Sequence, residues 1–370
     1  YYPVPHGVWQ ELHALYQYAE ENGFTDEVVD ADKKTSIADL YVECLMLWLA
    51  DPYRLMHKEV ERVTELLAQN RGLVDIRSNS EGVGSRSFFV VALDADQAPK
   101  MPVQGNIAPS GEILRLIDPA RLVARLEAQV KAVGKVAVEK GRATHDLTDL
   151  LFRLITLWGD PPKRQFRRNA TESSVALCSG IKAIAYFADL ASKEDTETEA
   201  QLIRNGGTMP LLRIPQDPVS QLVGVEEWQV LNQSAIGLRL HRESSGNVGV
   251  TVGEIVGIRF AGGRTWNVGV VRWLTLLEGS ALEFGIELIS PTAHSITLQP
   301  TIGSSTKSIP ALLLGAVAPE SDSDTALTLS DTFSDLREFE LDDHGKVTHV
   351  RATTLIERTS HFDLFQFQPS

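Results

Sequence analysis

Asn232-Gln-Ser-Ala-Ile-Gly237 stands at the head of a long stretch of alternating apolar residues, and its reading decides how the second half of the chain folds. From Trp228 onward the period is two. Ile236, Leu238 and Leu240 alternate, as do Val248, Val250 and Val252, then Trp266, Val268 and Val270, and finally Leu282, Phe284, Ile286 and Leu288. Alternation at this spacing predicts half-buried β-strands. Gly253, the Gly262-Gly263 pair and Gly279 punctuate the runs as turns. Several short strands separated in this way predict a small antiparallel barrel.

Outward from that stretch the period changes. Trp9, Leu12, Tyr16 and Ala19 recur at helical spacing, and a second helix runs through Leu40 and Leu47. Asp51-Pro52 reads as a cap and first turn, with Met56, Val60, Val63 and Leu67 on one face until Gly72. Residues 73–77, 87–94 and 112–117 read as short strands. Asp118-Pro119 opens a helix carrying Leu122, Leu126, Val130 and Val133, and Asp146 caps a further one running through Leu154 to Trp158. Gly159-Asp-Pro-Pro162 stops it, since neither proline continues a helix readily. Residues 173–179 then read as a strand and 181–190 as a short helix. Ser192 to Ala200 is an acidic solvated stretch, and Gly206-Gly207 is a turn. Residues 296–370 lean to β, with a hairpin turn at Asp342-Asp-His-Gly345 and a polar loop over 319–325; the pattern fits either a second small barrel or extra strands on the first.

Composition limits the function. The 370 residues are 43% hydrophobic and 23% charged, which is ordinary for folded protein, and the length favours two or three domains. A net charge of −14 argues against general nucleic-acid binding. Two cysteines, Cys44 and Cys178, exclude a disulfide framework and carry no metal spacing. The longest apolar run, Ile309 to Ala318, contains Pro310 and is too short to span a bilayer. No signal-peptide pattern opens the chain, although a start at Tyr1 rather than Met gives that little weight; cytoplasmic is the default expectation.

Against this acidic background Lys163-Arg-Gln-Phe-Arg-Arg168 puts four cations into six residues. Guanidinium forks suit phosphate oxygens and the Hoogsteen edge of guanine, and their planes stack on bases. Arg164-x-x-x-Arg168 is a weak pattern by itself, because Arg121-x-x-x-Arg125 also matches within an amphipathic helix, where such a pair is an ordinary solvated face. In Asn232-x-Ser234-x-x-Gly237, the Asn amide carries both an acceptor and a donor. Its carbonyl can accept from the N1/N2 edge of guanine, Ser234 adds an adaptable hydroxyl, and Gly237 permits close approach of a planar ligand. An Asx turn in a hairpin is the common alternative for that motif.

The two motifs in this order resemble the PilZ family, bacterial receptors for cyclic di-guanylate (cyclic di-GMP). Val268-Gly-Val-Val-Arg-Trp273 and Phe284-Gly-Ile-Glu-Leu288 are similar to PilZ strands, and the resemblance covers residues 161–292. With the helical periods upstream and the β-leaning tail, it gives an α+β multidomain chain. A mainly helical N-terminal domain with a few short strands (1–158) precedes a PilZ-like antiparallel β-barrel (159–292), and a β-rich segment (293–370) follows. The interval from Arg168 to Asn232 exceeds that of a simple PilZ domain, so the helix and acidic loop near 181–227 read as an insertion after the first strand. By resemblance, Arg164 and Arg168, aided by Arg167 and Lys163, clamp the phosphates and guanine faces. Asn232 and Ser234 with Gly237 read a guanine edge, and closure of the arginine segment changes domain arrangement or partner binding.

An enzyme is not expected. The nine histidines are scattered, Asp322, Asp324 and Asp331 lack a metal-loop spacing, and no phosphate loop, dinucleotide motif or nucleophile elbow occurs. No cofactor, metal or membrane span is expected; the expected partners are cyclic di-GMP and a downstream protein. The competing readings are a scaffold that binds no nucleotide and, least favoured by charge, RNA binding through 163–168.

Overall fold

The computed structural model describes the backbone of all residues except 1, 33, 57, 79–87, 103–112, 135–141, 161–168, 192–223, 244–249, 302–306 and 316–323; the side chains of 133–134, 142–145 and 169–172 also lie outside the description. The chain divides into two compact units, Tyr1–Gln165 and Phe166–Ser370.

In the first unit, helices α1 (Val8–Glu21), α2 (Ile37–Leu49), α3 (Glu59–Gln69), α4 (Ala120–Gly134) and α5 (Arg142–Gly159) accompany two small sheets. One pairs β1 (Val28–Asp30) with β2 (Thr35–Ser36). The other joins β3 (Asp75–Arg77), β4 (Phe89–Ala92) and β5 (Leu114–Asp118) in the order β3-β5-β4. Ser36 explains where α2 begins. Its Oγ accepts from the Asp39 N–H at 3.1 Å while Asp39 accepts from the Ser36 N–H at 3.0 Å, a reciprocal capping box. One core draws on the whole unit, from Tyr16 and Leu45 through Leu67 and Ile117 to Leu150 and Trp158.

Two helix starts differ from expectation. Asp51-Pro52 opens only a 3-10 turn, Pro52–Arg54, because Leu55 is extended and Lys58 takes a positive φ of 68°. The α-helix begins at Glu59, whose buried carboxylate accepts from the Met56 N–H at 2.7 Å and pairs with Arg153. Asp146 lies inside α5, which starts a turn earlier at Arg142.

The second unit holds two closed six-stranded barrels with antiparallel pairing throughout. The first comprises β6 (Asn169–Ser179), β7 (Glu226–Ser234), β8 (Gly237–Arg242), β9 (Ile255–Phe260), β10 (Asn267–Leu276) and β11 (Leu282–Ser290), in the order β10-β11-β8-β7-β6-β9. Trp228 and Val230 of β7 and Leu238 and Leu240 of β8 are buried at alternate positions, β11 is buried throughout Leu282–Ile286, and the Trp228 and Phe284 rings meet edge to face at 4.7 Å. Strands β6 and β7 are direct neighbours despite the long interval between them. After β6, helix α6 (residues 181–191) packs back on the barrel through Ile181, Ile184 and Phe187.

The tail forms a barrel of its own from β12 (Ala293–Pro300), β13 (Ile309–Leu314), β14 (Asp324–Leu329), β15 (Glu338–Asp343), β16 (Lys346–Arg358) and β17 (Phe362–Pro369), which resolves the alternative left open above. Its core includes Ile296, Leu298, Phe339, Phe365 and Phe367. The hairpin at 342–345 forms as expected, with the Gly345 N–H donating to Asp342 at 2.7 Å. A shared apolar cluster joins the barrels. Cys178, Ile255, Trp266, Val268 and Val270 pack with α6 and with Ala293, Leu312, Leu314, Phe362 and Leu364.

Two strand expectations fail in this unit. Val250 and Val252 are buried but lie in the turn before β9, and Ile236 occupies an exposed turn rather than a strand. Among the expectations above, those for the acidic stretch, for Gly206-Gly207, for Val248, for residues 163–168 and for 319–323 of the polar loop fall outside the described residues, while Asp324 and Thr325 of that loop open β14.

Candidate functional site

The Asn232 motif is a two-residue hairpin. Asn232 and Ser234 close β7, Ala235 and Ile236 make the turn, and Gly237 opens β8. Ser234 Oγ donates to the Gly237 carbonyl at 3.3 Å, and the Ile236 carbonyl accepts from the Leu288 N–H at 2.9 Å, tying the turn to β11. A Cβ on residue 237 would stand 3.1 Å from the Ile286 carbonyl oxygen and 3.4 Å from Ser234 Oγ. Glycine there lets β8 and β11 close beside the turn.

Cross-strand register then builds a continuous row. Ala170 of β6 faces Asn232 of β7, Asn232 faces Arg239 of β8, Arg239 faces Gly285 of β11, and Gly285 faces Trp273 of β10. At the ordinary strand spacing the row spans about 19 Å of outer barrel surface. Two β-bulges set its parity. In β7 the register shifts between Val230 and Asn232, and in β10 between Val271 and Trp273. Val271 and Leu274 are buried, so Arg272 and Trp273 both project outward, which regular alternation forbids. The Trp273 indole lies across Gly285, where only glycine leaves room for it. The Arg239 guanidinium sits 5.8 Å from the centre of the Trp273 ring and is held by Glu283, to which its Nε donates at 3.0 Å.

Asn232, Ser234 and Gly237 thus share one outward edge. Arg164, Arg168, Arg167 and Lys163 lie outside the described residues, but Asn169, bonded directly to Arg168, pairs with Gln233 beside that edge. Reading by spacing missed Arg239 and Trp273, because the bulge that turns Trp273 outward has no period-two signature. The row and the adjoining hairpin can supply an amide reader, the Ser234 hydroxyl, an aromatic face and a stacked cation, which is the chemistry of a planar anionic ligand. The decoy pair is different: Arg121 donates to Asp75 at 2.5 Å and to the Gly72 carbonyl at 2.8 Å, fastening α4 to β3. A 420 Å³ cleft lies in the first unit, where its charged wall residues Arg71 and Glu43 already pair at 2.7 Å. Among the described residues no cluster of His, Cys, Asp and Glu could hold a metal ion, and no helix is long and apolar enough to cross a membrane.

A closed six-stranded barrel bearing an Asn-x-Ser-x-x-Gly hairpin on its outer face is a PilZ-type barrel. A family profile described as the middle PilZ domain of the cyclic-di-GMP receptor FimW matches residues 88–202 and 216–295, more than half of the chain, and the chain belongs to that PilZ family. Profiles for the N-terminal domain of that receptor and for the FimW C-terminal beta-barrel domain match residues 1–80 and 295–370. The cyclic-di-GMP receptor FimW of Pseudomonas aeruginosa is 25% identical over 425 residues, an alignment that covers 100% of this chain and 68% of that relative. No solved structure matches the chain. The middle profile begins at residue 88, far upstream of the motifs. Packing divides the chain elsewhere, since Phe89, Leu122 and Leu150 share one core with Tyr16 and Leu45.

Proposed function

We propose that this chain is a receptor for cyclic di-GMP and not an enzyme. The observation that supports this most directly is the register of β6 on β7, in which the residue following Arg168 pairs next to Asn232 and Ser234. In this reading Arg164 and Arg168, with Arg167 and Lys163 raising the local potential, engage the phosphates and guanine faces. Asn232 and Ser234 read a guanine edge, Gly237 allows close approach, and Trp273 with Arg239 offers a stacking surface. Charge-assisted hydrogen bonds contribute about 1.5–3 kcal/mol each, and micromolar affinity requires about 8 kcal/mol. Two arginines and one amide reader therefore supply most of what such affinity needs.

Residues 1–158, 159–292 and 293–370 act as the modules of this receptor, in the cytoplasm. Closure of the arginine segment over the nucleotide changes domain arrangement or the binding of a downstream protein. Titration calorimetry with cyclic di-GMP tests the reading. Saturable binding is expected at micromolar affinity, with no comparable heat from GMP. A chain that takes up neither ligand is not this receptor.

A further inference from the structure

Arg272 is the extra residue of the β10 bulge and the immediate neighbour of Trp273. Its Nε donates to Glu287 of β11 at 2.7 Å, and its two terminal nitrogens donate to the two carboxylate oxygens of Glu357 at 2.5 and 2.9 Å. Glu287 faces Gly237 of the hairpin motif, whereas Glu357 belongs to β16 of the C-terminal barrel. β16 is itself irregular there, its register shifting between Leu355 and Glu357. A bulge on one barrel thus meets a bulge on the other through a two-pronged ion pair, the arrangement that fixes direction as well as distance. Burial lowers the Arg272 pKa, but the hydrogen bonds and charges of Glu357 and Glu287 outweigh it and hold the guanidinium firmly charged.

The surroundings of the indole give this pair its meaning. Trp273 rests on Gly285 and under Arg239, and Arg239 is itself tied to Glu283. Those groups all come from the first barrel. The backbone from which the indole projects is a bulge, the point where a strand's twist is least dictated by its ladder. Arg272 is anchored at that point, and Glu357 anchors Arg272 from the other barrel.

We propose that Glu357, acting through Arg272, is a positioning residue for Trp273 on the ligand face, so that the C-terminal barrel completes the site of the first. The proposal rests on the receptor reading above. Its test uses the full chain labelled with 5-fluorotryptophan, in which the Trp273 resonance is identified by its loss in Trp273→Leu. Without ligand, Glu357→Gln shifts the Trp273 resonance while melting stays cooperative, because Arg272 retains Glu287. With cyclic di-GMP, Glu357→Gln weakens binding by about fivefold or more, within the range for losing a base–aromatic stack. In the Trp273→Leu background the same substitution changes affinity by less than about twofold, the non-additivity that an effect routed through Trp273 requires. An unmoved Trp273 resonance overturns the proposal, and so does an equal loss in both backgrounds. If the wild-type chain binds no cyclic di-GMP, a shifted resonance still supports the positioning while the receptor reading falls.

Discussion

Trp273 and Gly285 face each other across β10 and β11, and the indole covers the position that a side chain on residue 285 would take. The two residues form one surface, so changing either changes both. Gly285→Ala displaces the indole through overlap with its ring nitrogen. It is expected to weaken cyclic di-GMP binding by much the same factor as Trp273→Leu, roughly 5- to 150-fold for a lost base stack. Calorimetry on the two variants checks this, and wild-type affinity in Gly285→Ala refutes it.

The arginine pairs separate by role. Arg164→Ala with Arg168→Ala is expected to abolish measurable binding, as is Asn232→Ala with Ser234→Ala. Arg121→Ala with Arg125→Ala leaves affinity unchanged, because Arg121 is committed to Asp75 and Gly72. That ion pair is exposed, so its loss costs at most about 1 kcal/mol of stability. Parallel titrations decide the matter, and equal losses from the two arginine pairs defeat the assignment.

His13 makes the first unit sensitive to acid. It is fully buried, its Nδ1 2.9 Å from the Tyr41 hydroxyl and its Nε2 2.8 Å from the Gln97 carbonyl, an arrangement a neutral ring satisfies by accepting at one nitrogen and donating at the other. Burial lowers its pKa below the ordinary value of 6.5, against the opposing pull of the Gln97 carbonyl and Asp96. The unfolded chain therefore binds the proton more readily, and stability falls as pH drops below about 6.5. Denaturant unfolding at pH 5 and pH 7.5 measures this, and His13→Phe is expected to flatten the slope.

The two barrels of the second unit should lose structure together. Leu312 is completely buried in the cluster that also holds Trp266, Val268 and Phe187. Leu312→Ala is expected to cost about 2–5 kcal/mol and to lower a single transition rather than create two. Calorimetric scanning distinguishes the outcomes, and a first barrel that melts unchanged would contradict the shared core.

Much of this fold was legible in the sequence, for a reason visible in β8. Leu238 and Leu240 point inward and their neighbours outward, so period two survives in the residues. Where a strand is buried on both faces that signal fades. β9 runs Ile-Val-Gly-Ile against α6 on one side and the barrel interior on the other, whereas the alternating Val250 and Val252 are buried without a ladder. The start of α3 was hidden because Asp51-Pro52 is a sound capping signal that a tertiary partner overrides; Glu59 is drawn inward to Arg153 and restarts the helix there. The Asn232 hairpin announced itself through residue types. Trp273 and Arg239 did not, because a bulge and a register pairing, neither of which leaves a periodic trace, bring them into the row.

The pairing of Asn169 with Gln233 has a consequence for how a ligand would be captured. Arg168 is one peptide bond from an anchored strand, so its α-carbon stays about 3.8 Å from that of Asn169 whatever else moves. In the proposed receptor a nucleotide first held at Asn232 would meet this arginine as part of the same molecule, at an effective concentration set by the tether. Connectivity, and not added contacts, would then make the second step of capture fast. A receptor cut between Arg168 and Asn169 would keep every residue of the site and lose that advantage.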